Sequence, residues 1–238
     1  MSDRVRAVVF DWYGTLGRPM PDDWWPRVGE LIASAGGAAA TAALENWVSV
    51  PLEHVAHSAS REHYERWSAE RLQALLTSCG LDPAATDRIV AVIEDARARE
   101  IIALADDAAA VIDELHDRGM LVGLCSNWDW DLDRQLAHND ITERFDAVAC
   151  SARVGYRKPH ERIFAQVLAA LGTAAPETVF VGDDWSADVE GALAMGMTAV
   201  HAGWAVSCHV EDHEGVACIS RLTELLQLPG LAGAAGLV

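Results

Sequence analysis

Four apolar runs in the sequence are each followed by polar residues whose types suit hydrolytic or group-transfer chemistry. The first run, residues 7–10, ends at Asp11, and Gly14 soon after it permits a sharp turn. Short apolar runs with β-branched and aromatic members are typical of buried parallel strands. Because ligands bind beyond the carboxyl ends of the strands in an open α/β sheet, we expect the polar residues to converge in one crevice. After the later runs these residues are Ser126, Asn127, Lys158, Asp183, Asp184 and Asp188.

Each residue type in this set has a role in transferring a phosphoryl or alkyl group. A carboxylate such as Asp11 can act as a covalent nucleophile, which divides one difficult step into two easier ones. Oxygen ligands from several strands suit Mg²⁺. Ser126 can bind the oxygens of a substrate, and Lys158 offsets the crowded negative charge. Without a cation and a lysine, Asp11 and Asp183 would repel each other and any anionic substrate, so we expect both to be present.

Strands and helices alternate through the second half of the chain. Helices of 10–13 residues separate the predicted strands, and this alternation favours an α/β fold with a doubly wound parallel sheet. The predicted strands are residues 7–10, 121–125, 147–150, 179–181 and 198–201.

The segment between the first strand and residue 105 contains only helical patterns. Helices are predicted from residue 22 towards residue 32, over residues 44–55 and 60–76, and from Pro83, which follows Asp82 as N-cap. We therefore expect an inserted all-helical domain of residues 17–104, called here the helical insertion. The catalytic core is expected to consist of residues 1–16 and 105–238.

Charge and composition disfavour several classes of partner. The 238 residues include 36 acids and 18 bases, and the formal charge of −18 disfavours nucleic acids and anionic membrane surfaces. The sequence has no apolar N-terminal leader and no run of 18 apolar residues, and its five cysteines form no CxxC pair, which predicts free thiols in a reducing compartment. We expect a cytoplasmic monomer or homodimer that binds a small anionic substrate, with no nucleic acid or membrane partner.

The order and spacing of the polar segments resemble the haloacid dehalogenase superfamily of hydrolases. The matching motifs are residues 11–15, 126–127, 158–159 and 182–184, with Asp188 following. The resemblance implies a Rossmann-like core, an α-helical cap of the C1 type and Asp11 as covalent nucleophile. It implies Mg²⁺ held by Asp11, the Tyr13 carbonyl and Asp183, with Asp184 or Asp188 supporting the metal or its waters. It further implies catalytic roles for Tyr13, Thr15, Ser126, Asn127 and Lys158.

Two of these motifs point to different activities. Phosphatases of the superfamily carry a second aspartate two residues after the nucleophile, whereas Tyr13 resembles the 2-haloacid dehalogenases. Those dehalogenases lack the acidic fourth motif and act without a metal, so residues 182–184 resemble the phosphatases. Because clustered carboxylates demand a cation and Mg²⁺ suits a phosphate ester, we predict a phosphatase acting on a small phosphorylated metabolite. The alternatives are a dehalogenase-type hydrolase and a catalytically weak relative that binds a metabolite.

Other polar residues are interpreted as lying at the surface. His54 and His57 are three residues apart with no third ligand nearby, which favours solvent exposure over a zinc site. Three arginines near Lys158 are interpreted as surface charges that could steer anions towards the site: Arg153, Arg157 and Arg162.

Overall fold

The computed structural model describes residues 5–18, 25–35, 50–203 and 215–231. Its centre is a six-stranded sheet in which every neighbouring pair of strands runs parallel. In chain order the strands are β1 (Ala7–Phe10), β2 (Gly17–Arg18), β3 (Ala103–Leu104), β4 (Leu121–Ser126), β5 (Ala147–Cys150), β6 (Thr178–Gly182), β7 (Thr198–Ala202) and β8 (Ala217–Ile219). The large sheet has the order β5-β4-β1-β6-β7-β8, and β2 and β3 form a separate antiparallel pair.

The central strand β1 marks the point at which the direction of the chain across the sheet reverses. Its residue Phe10 pairs with Leu124 of β4 on one side and with Val181 of β6 on the other. The chain runs outward from β4 to β5, then crosses β1 and continues through β6, β7 and β8. Ligands bind at such a reversal point, and Asp11 directly follows β1 there.

Helices cover both faces of the sheet. Val8 and Phe10 of β1 pack into one hydrophobic cluster, whereas Ala7 and Val9 pack into another on the opposite face. This confirms the predicted doubly wound, Rossmann-like α/β fold. The helices are α1 (Trp25–Ser34), α2 (Arg61–Ser78), α3 (Pro83–Arg99), α4 (Ala108–Asp117), α5 (Leu132–His138), α6 (Ser151–Val154), α7 (Glu161–Leu171), α8 (Gly191–Ala194) and α9 (Leu222–Leu225).

The helical insertion has a hydrophobic cluster of its own. Helices α1, α2 and α3 contribute buried side chains to it, among them Ile32, Leu76 and Ile93. The Asp82 side chain accepts a hydrogen bond from the Ala85 N–H (2.8 Å), as expected of an N-cap. The antiparallel pair β2–β3 joins the two ends of the insertion where the chain leaves and re-enters the core.

Residues 50–54 are not helical, so this part of the prediction for residues 44–55 is wrong. Glu53 instead forms an antiparallel bridge with Tyr156, which lies in the loop before Lys158. Pairing with a distant segment outweighs the local helical pattern here. Residues 44–49 and the predicted helix start at residue 22 lie outside the described part of the chain.

The core differs from the sequence prediction at three further places. Strand β8 is not among the predicted strands, and a π-helical segment at Trp185–Glu190, which the sequence pattern does not predict, leads into α8. Cys79, Cys125 and Cys150 are free thiols, but Cys218 is disulfide-bonded, so the prediction of free thiols is wrong at Cys218.

None of the helices in the described ranges combines the length and apolar character that a membrane span requires.

The Gln135 side chain anchors the return of the chain from the helical insertion to the core. Gln135 is 1% exposed; its Oε1 accepts from the Ile102 N–H (2.9 Å), and its Nε2 donates to the Glu100 carbonyl (2.8 Å). Asn139, the C-cap residue of α5, makes a similar pair of bonds to the Leu104 N–H and the Ile102 carbonyl, both at 3.0 Å. These amides therefore satisfy the backbone of a segment that has few partners of its own.

We predict that Gln135→Leu destabilises the protein by about 1–3 kcal/mol, because the buried Ile102 N–H loses its partner. The Glu100 carbonyl keeps its hydrogen bond from the Arg134 guanidinium group (3.0 Å). Chemical denaturation followed by circular dichroism measures this change. Gln73→Leu, at an exposed position of α2, is the matched control and should change stability by less than about 0.5 kcal/mol. Equal stability of the two variants would contradict the anchoring role of Gln135.

Candidate active site

An ion-pair network joins the ends of β1 and β6 to the loop that follows α6. Lys158 Nζ lies 2.6 Å from Asp11 Oδ1 and 2.6 Å from Asp188 Oδ1. All three residues are buried, with Lys158 at 3%, Asp11 at 7% and Asp188 at 1% exposure. Burial alone would lower the pKa of Lys158, but the charges of Asp11 and Asp188 outweigh it and raise the pKa above its usual value. Lys158 is therefore held as an ammonium ion.

Three carboxylates converge at this point. One oxygen from each of Asp11, Asp183 and Asp188 lies within 4.8 Å of the other two. Burial, with a further contribution from the Asp11 charge, raises the pKa of Asp183 to about 6. Burial also raises the pKa of Asp188 to about 7, although Lys158 opposes this shift. A single ammonium group thus faces three carboxyl groups, and the two raised pKa values express the resulting excess of negative charge.

Two glycines make the close approach of these carboxylates possible. A Cβ on Gly14 would lie 2.2 Å from Asp183 Oδ2, and Gly14 has φ +86°, a conformation that favours glycine. A Cβ on Gly182 would lie 2.2 Å from Asp188 Oδ2. The turn that the sequence predicted at Gly14 therefore serves to admit a side chain from another strand end.

Thr15 and Tyr13 occupy different environments in the turn after β1. Thr15 is fully buried, and its Oγ1 donates a hydrogen bond to Asp183 Oδ1 (3.1 Å). The Tyr13 side chain is 43% exposed, and its ring centroid lies 6.1 Å from that of Trp128. Thr15 thus orients a carboxylate of the cluster, whereas the ring of Tyr13 lies at the surface beside an aromatic side chain.

Ser126 and Asn127 lie at the carboxyl end of β4, as the sequence predicted. Ser126 is buried at the last position of the strand. The Asn127 side chain donates to the Lys158 carbonyl (3.1 Å) and accepts from the Lys158 N–H (2.8 Å). Asn127 is therefore a positioning residue that fixes the backbone of the lysine.

The structure distinguishes Asp184 from Asp188, which the sequence left open. Asp184 is exposed, and its Oδ1 accepts from the Ala187 N–H (2.8 Å) as the N-cap of the π-helical segment. Asp188 lies in the cluster, and its Oδ2 accepts from the Asp184 N–H (3.1 Å). Asp184 thus shapes the turn that brings Asp188 to the site.

The carboxylate cluster fits a divalent cation. Asp188 Oδ1 is buried 2.6 Å from the Lys158 ammonium group, which Asp11 shares, so one positive charge serves a cluster of three carboxyl groups. Hard carboxylate oxygens are the ligands that Mg²⁺ takes in proteins. The donor set of Asp11, Asp183 and Asp188 therefore suits Mg²⁺.

Sequence reasoning missed one residue beside the cluster and misplaced another. His201 of β7 has its Nε2 3.0 Å from the Asp183 carbonyl oxygen; a histidine at a strand end carries no distinctive sequence signal. His54 is 3% exposed, so its predicted solvent exposure is wrong. Its ring nitrogens lie 3.1 Å from the Pro51 carbonyl and 3.0 Å from the Ser151 carbonyl, and burial lowers its pKa.

Curated relatives of this chain include two phosphatases. The chain is 32% identical to a phosphoserine phosphatase of Thermus thermophilus over 62% of its own length and 65% of that protein. It is 33% identical to a ribulose-1,5-bisphosphate 5-phosphatase of Halopiger xanaduensis over 42% of its own length and 43% of that protein. The chain thus spans less than two thirds of these relatives.

Solved structures share the fold over nearly the whole chain. A haloacid dehalogenase-type phosphatase from Thermococcus onnurineus superposes with a TM-score of 0.64 at 24% identity, covering 96% of this chain and 99% of the other. A 2-haloacid dehalogenase from Pseudomonas syringae superposes with a TM-score of 0.58 at 22% identity, covering 94% and 97%. The sequence model of the haloacid dehalogenase-like hydrolases matches residues 5–196. The chain therefore belongs to the haloacid dehalogenase-like hydrolase family.

Proposed function

We propose that this protein is a Mg²⁺-dependent phosphatase that hydrolyses small phosphate monoesters through a covalent intermediate on Asp11. The observation that carries the proposal is the charge of the site, in which one lysine faces three clustered carboxyl groups. Such a cluster is stable in its ionised form only with a further cation. A divalent cation in turn suits an anionic phosphate ester better than a carbon–halogen bond.

Asp11 is assigned as the nucleophile because it lies at the reversal point of the sheet with one oxygen held by Lys158. In the first step an Asp11 carboxylate oxygen forms a bond to phosphorus, the bond from phosphorus to the ester oxygen breaks, and the departing alkoxide takes a proton from water to leave as the alcohol. In the second step water hydrolyses the aspartyl phosphate, which restores the carboxylate and releases phosphate. Ser126 and Lys158 are proposed to bind the phosphoryl oxygens.

Asp11, Asp183 and Asp188 would hold the magnesium ion, with the Tyr13 carbonyl as a further ligand. When bound, Mg²⁺ supplies charge neutralisation on the transferring phosphoryl group. Thr15 keeps Asp183 in place through its hydrogen bond. Asp184 acts indirectly, as the cap of the segment that carries Asp188.

The helical insertion is proposed to be the cap that closes over the site, with residues 1–16 and 105–238 as the catalytic core. The separate hydrophobic cluster of the insertion supports this division, as does the β2–β3 pair at its base. The two phosphatase relatives support the proposed reaction, since their names describe hydrolysis of phosphate esters.

A dehalogenase-type hydrolase is the second candidate, and Tyr13 is the observation that favours it. The position two residues after the nucleophile carries no carboxylic acid to protonate a leaving oxygen. A halide needs no proton, whereas an alkoxide does. The acidic cluster favours the phosphatase more strongly, because a metal-free dehalogenase would have to hold its excess negative charge uncompensated.

Asp11→Asn is predicted to lower turnover of 4-nitrophenyl phosphate by more than about 10³-fold, because an amide cannot form the covalent intermediate. Asp117→Asn, at an exposed position of α4, is the matched control and should retain activity. Release of phosphate from the ester and of chloride from 2-chloropropionate are measured in parallel. If the wild-type protein releases chloride but no phosphate, the phosphatase assignment is wrong and the protein is a dehalogenase-type hydrolase.

Chelation with EDTA is predicted to abolish phosphatase activity, and added Mg²⁺ to restore it. Asp183→Asn should raise the Mg²⁺ concentration required for half-maximal activity, because it replaces a charged carboxylate ligand of the cluster with a neutral amide. Asp184→Asn should change this concentration much less, since asparagine retains the N-cap bond. A Mg²⁺ requirement that Asp184→Asn weakens as strongly as Asp183→Asn would show that the ligands are assigned wrongly.

Asp183 is predicted to make the metal-free protein less stable as the pH rises. Its pKa of about 6 in the folded protein exceeds the value of about 4 expected for an unfolded chain, so the folded state binds more protons between these values. Protonated Asp183 thus contributes its full stabilisation to the free energy of unfolding below about pH 4. This contribution is lost as the pH rises through about 6 and the carboxyl group ionises. In EDTA, the Tm of Asp183→Asn should rise relative to wild type across this interval. A difference in Tm that does not vary with pH would refute the shift.

A further inference from the structure

Arg157 directly precedes Lys158 and differs from the other arginines nearby. Like Arg153 it is partly exposed, and burial lowers the pKa of its guanidinium group. Its backbone N–H donates to the Leu52 carbonyl (2.9 Å), but no acceptor among the described residues bonds its guanidinium group. Arg153, in contrast, pairs with Asp133 (2.9 Å), and Arg162 lies over the Tyr156 ring (5.7 Å). Beside the active site, the guanidinium donors of Arg157 therefore have no acceptor in the part of the chain that the structure describes.

The helical insertion adds a second arginine to this region. On helix α2, Tyr64, Trp67 and Arg71 lie on one face. The Tyr64 hydroxyl donates to Asp129 Oδ1 (3.0 Å), which attaches this face to the loop after β4. Arg71 Cζ lies 5.0 Å from the centre of the Trp67 ring. The face thus carries a guanidinium group next to the core.

A short antiparallel pairing joins the insertion to the loop that carries both Arg157 and Lys158. The His54 N–H donates to the Gly155 carbonyl (2.8 Å), and the ring of His54 stacks on Trp67 with centroids 5.6 Å apart. Burial lowers the pKa of Arg157, and the positive charge of Arg71 lowers it further, although Tyr64 and Asp11 act in the opposite direction. Arg157 is therefore a cation in a partly desolvated, positively charged environment within electrostatic reach of Asp11.

We propose that Arg157 binds a second anionic group of the substrate, so that the preferred substrates are phosphate monoesters that also carry a carboxylate or a second phosphate. This inference rests on the proposed phosphatase function. Lys158 contacts Asp11, where the reacting phosphate binds, and the neighbouring Arg157 lies one residue, about 3.8 Å along the backbone, away. The planar guanidinium group matches both carboxylate and phosphate with two parallel hydrogen bonds.

The overall negative charge of the protein makes a local positive charge necessary for binding a substrate with two anionic groups. A formal charge of −18 and three clustered carboxyl groups repel a multiply anionic substrate. Local positive charge is needed to overcome this field. Lys158 is already engaged by Asp11 and Asp188. The donors of Arg157, which no acceptor within the described ranges bonds, supply what the second anionic group requires.

Three matched phosphate esters test the proposal: propyl phosphate, 3-phosphonooxypropanoate and propane-1,3-diyl bisphosphate. The wild-type enzyme should show a higher kcat/KM for at least one of the two esters with a second anion than for propyl phosphate. Arg157→Gln should lower that ratio of kcat/KM values by about 10- to 100-fold, as expected for a lost charge-assisted hydrogen bond. Arg157→Lys should restore part of it, because the charge remains without the planar fork. The ester with the larger Arg157-dependent ratio identifies the second group as carboxylate or phosphate.

Arg162→Gln is the control, since it removes a nearby exposed positive charge and should leave both the ratio and the basal activity unchanged. A ratio that is already near one in the wild type overturns the proposal. So does a parallel fall for all three esters in Arg157→Gln, which would indicate that Arg157 only positions Lys158 or the reacting phosphate.

Binding measured by calorimetry in the Asp11→Asn background separates this proposal from the proposed function. If no phosphate ester is turned over, the phosphatase assignment fails, but the Kd values of the three esters still decide the role of Arg157. Tighter binding of an ester with a second anion, lost on adding Arg157→Gln, supports the proposal. Equal Kd values for all three esters overturn it.

Discussion

The contact of Lys158 with Asp11 and Asp188 is the interaction on which the rest of the site depends. These two carboxylates follow different strands, and they approach each other because the buried ammonium group lies between them at 2.6 Å from each. Removing one partner of a buried ion pair costs about 3–5 kcal/mol, because the other charge remains desolvated. The ammonium nevertheless compensates only part of the negative charge, since Asp183 joins the same cluster. The remaining imbalance makes the site suited to a divalent cation and an anionic substrate.

The sheet brings these groups together because it is parallel and its chain order reverses at β1. The residues after β1, β4 and β6 lie at the same edge, next to the point of reversal. Small local features then complete the geometry. Gly14 and Gly182 leave space for carboxylates from neighbouring segments, Thr15 orients Asp183, and Asn127 holds the backbone of Lys158. A rigid scaffold thus positions a site whose members come from distant parts of the sequence.

The helical insertion is connected to the chemistry through the loop that carries Lys158. Its residues Glu53 and His54 pair with Tyr156 and Gly155 of that loop. At the other end of the insertion, residues 100–102 are bound by Gln135 of α5 in the core. The insertion is therefore in direct contact with the loop that precedes Lys158.

Much of the fold and part of the site follow from local sequence patterns. Short β-branched runs ending in polar residues predict the strands that place Asp11, Ser126 and Asp183 at one edge of the sheet, because strand periodicity and turn chemistry are local properties. The N-cap at Asp82 follows for the same reason. The family resemblance of the motifs extended this prediction to Lys158, and the structure brings Lys158 into contact with Asp11.

The tertiary structure decided which of the candidate residues enter the site. Asp184 and Asp188 are equivalent by composition, but the π-helical turn directs Asp188 into the cluster and leaves Asp184 as an exposed cap. The sequence predicts a surface charge at Arg157, but in the folded chain the segment around His54 packs beside this residue. The sequence also predicts a helix at residues 50–54, but these residues pair with the loop before Lys158. Burial and pairing between distant segments depend on contacts made only in the folded chain, so residue type and local spacing do not determine them.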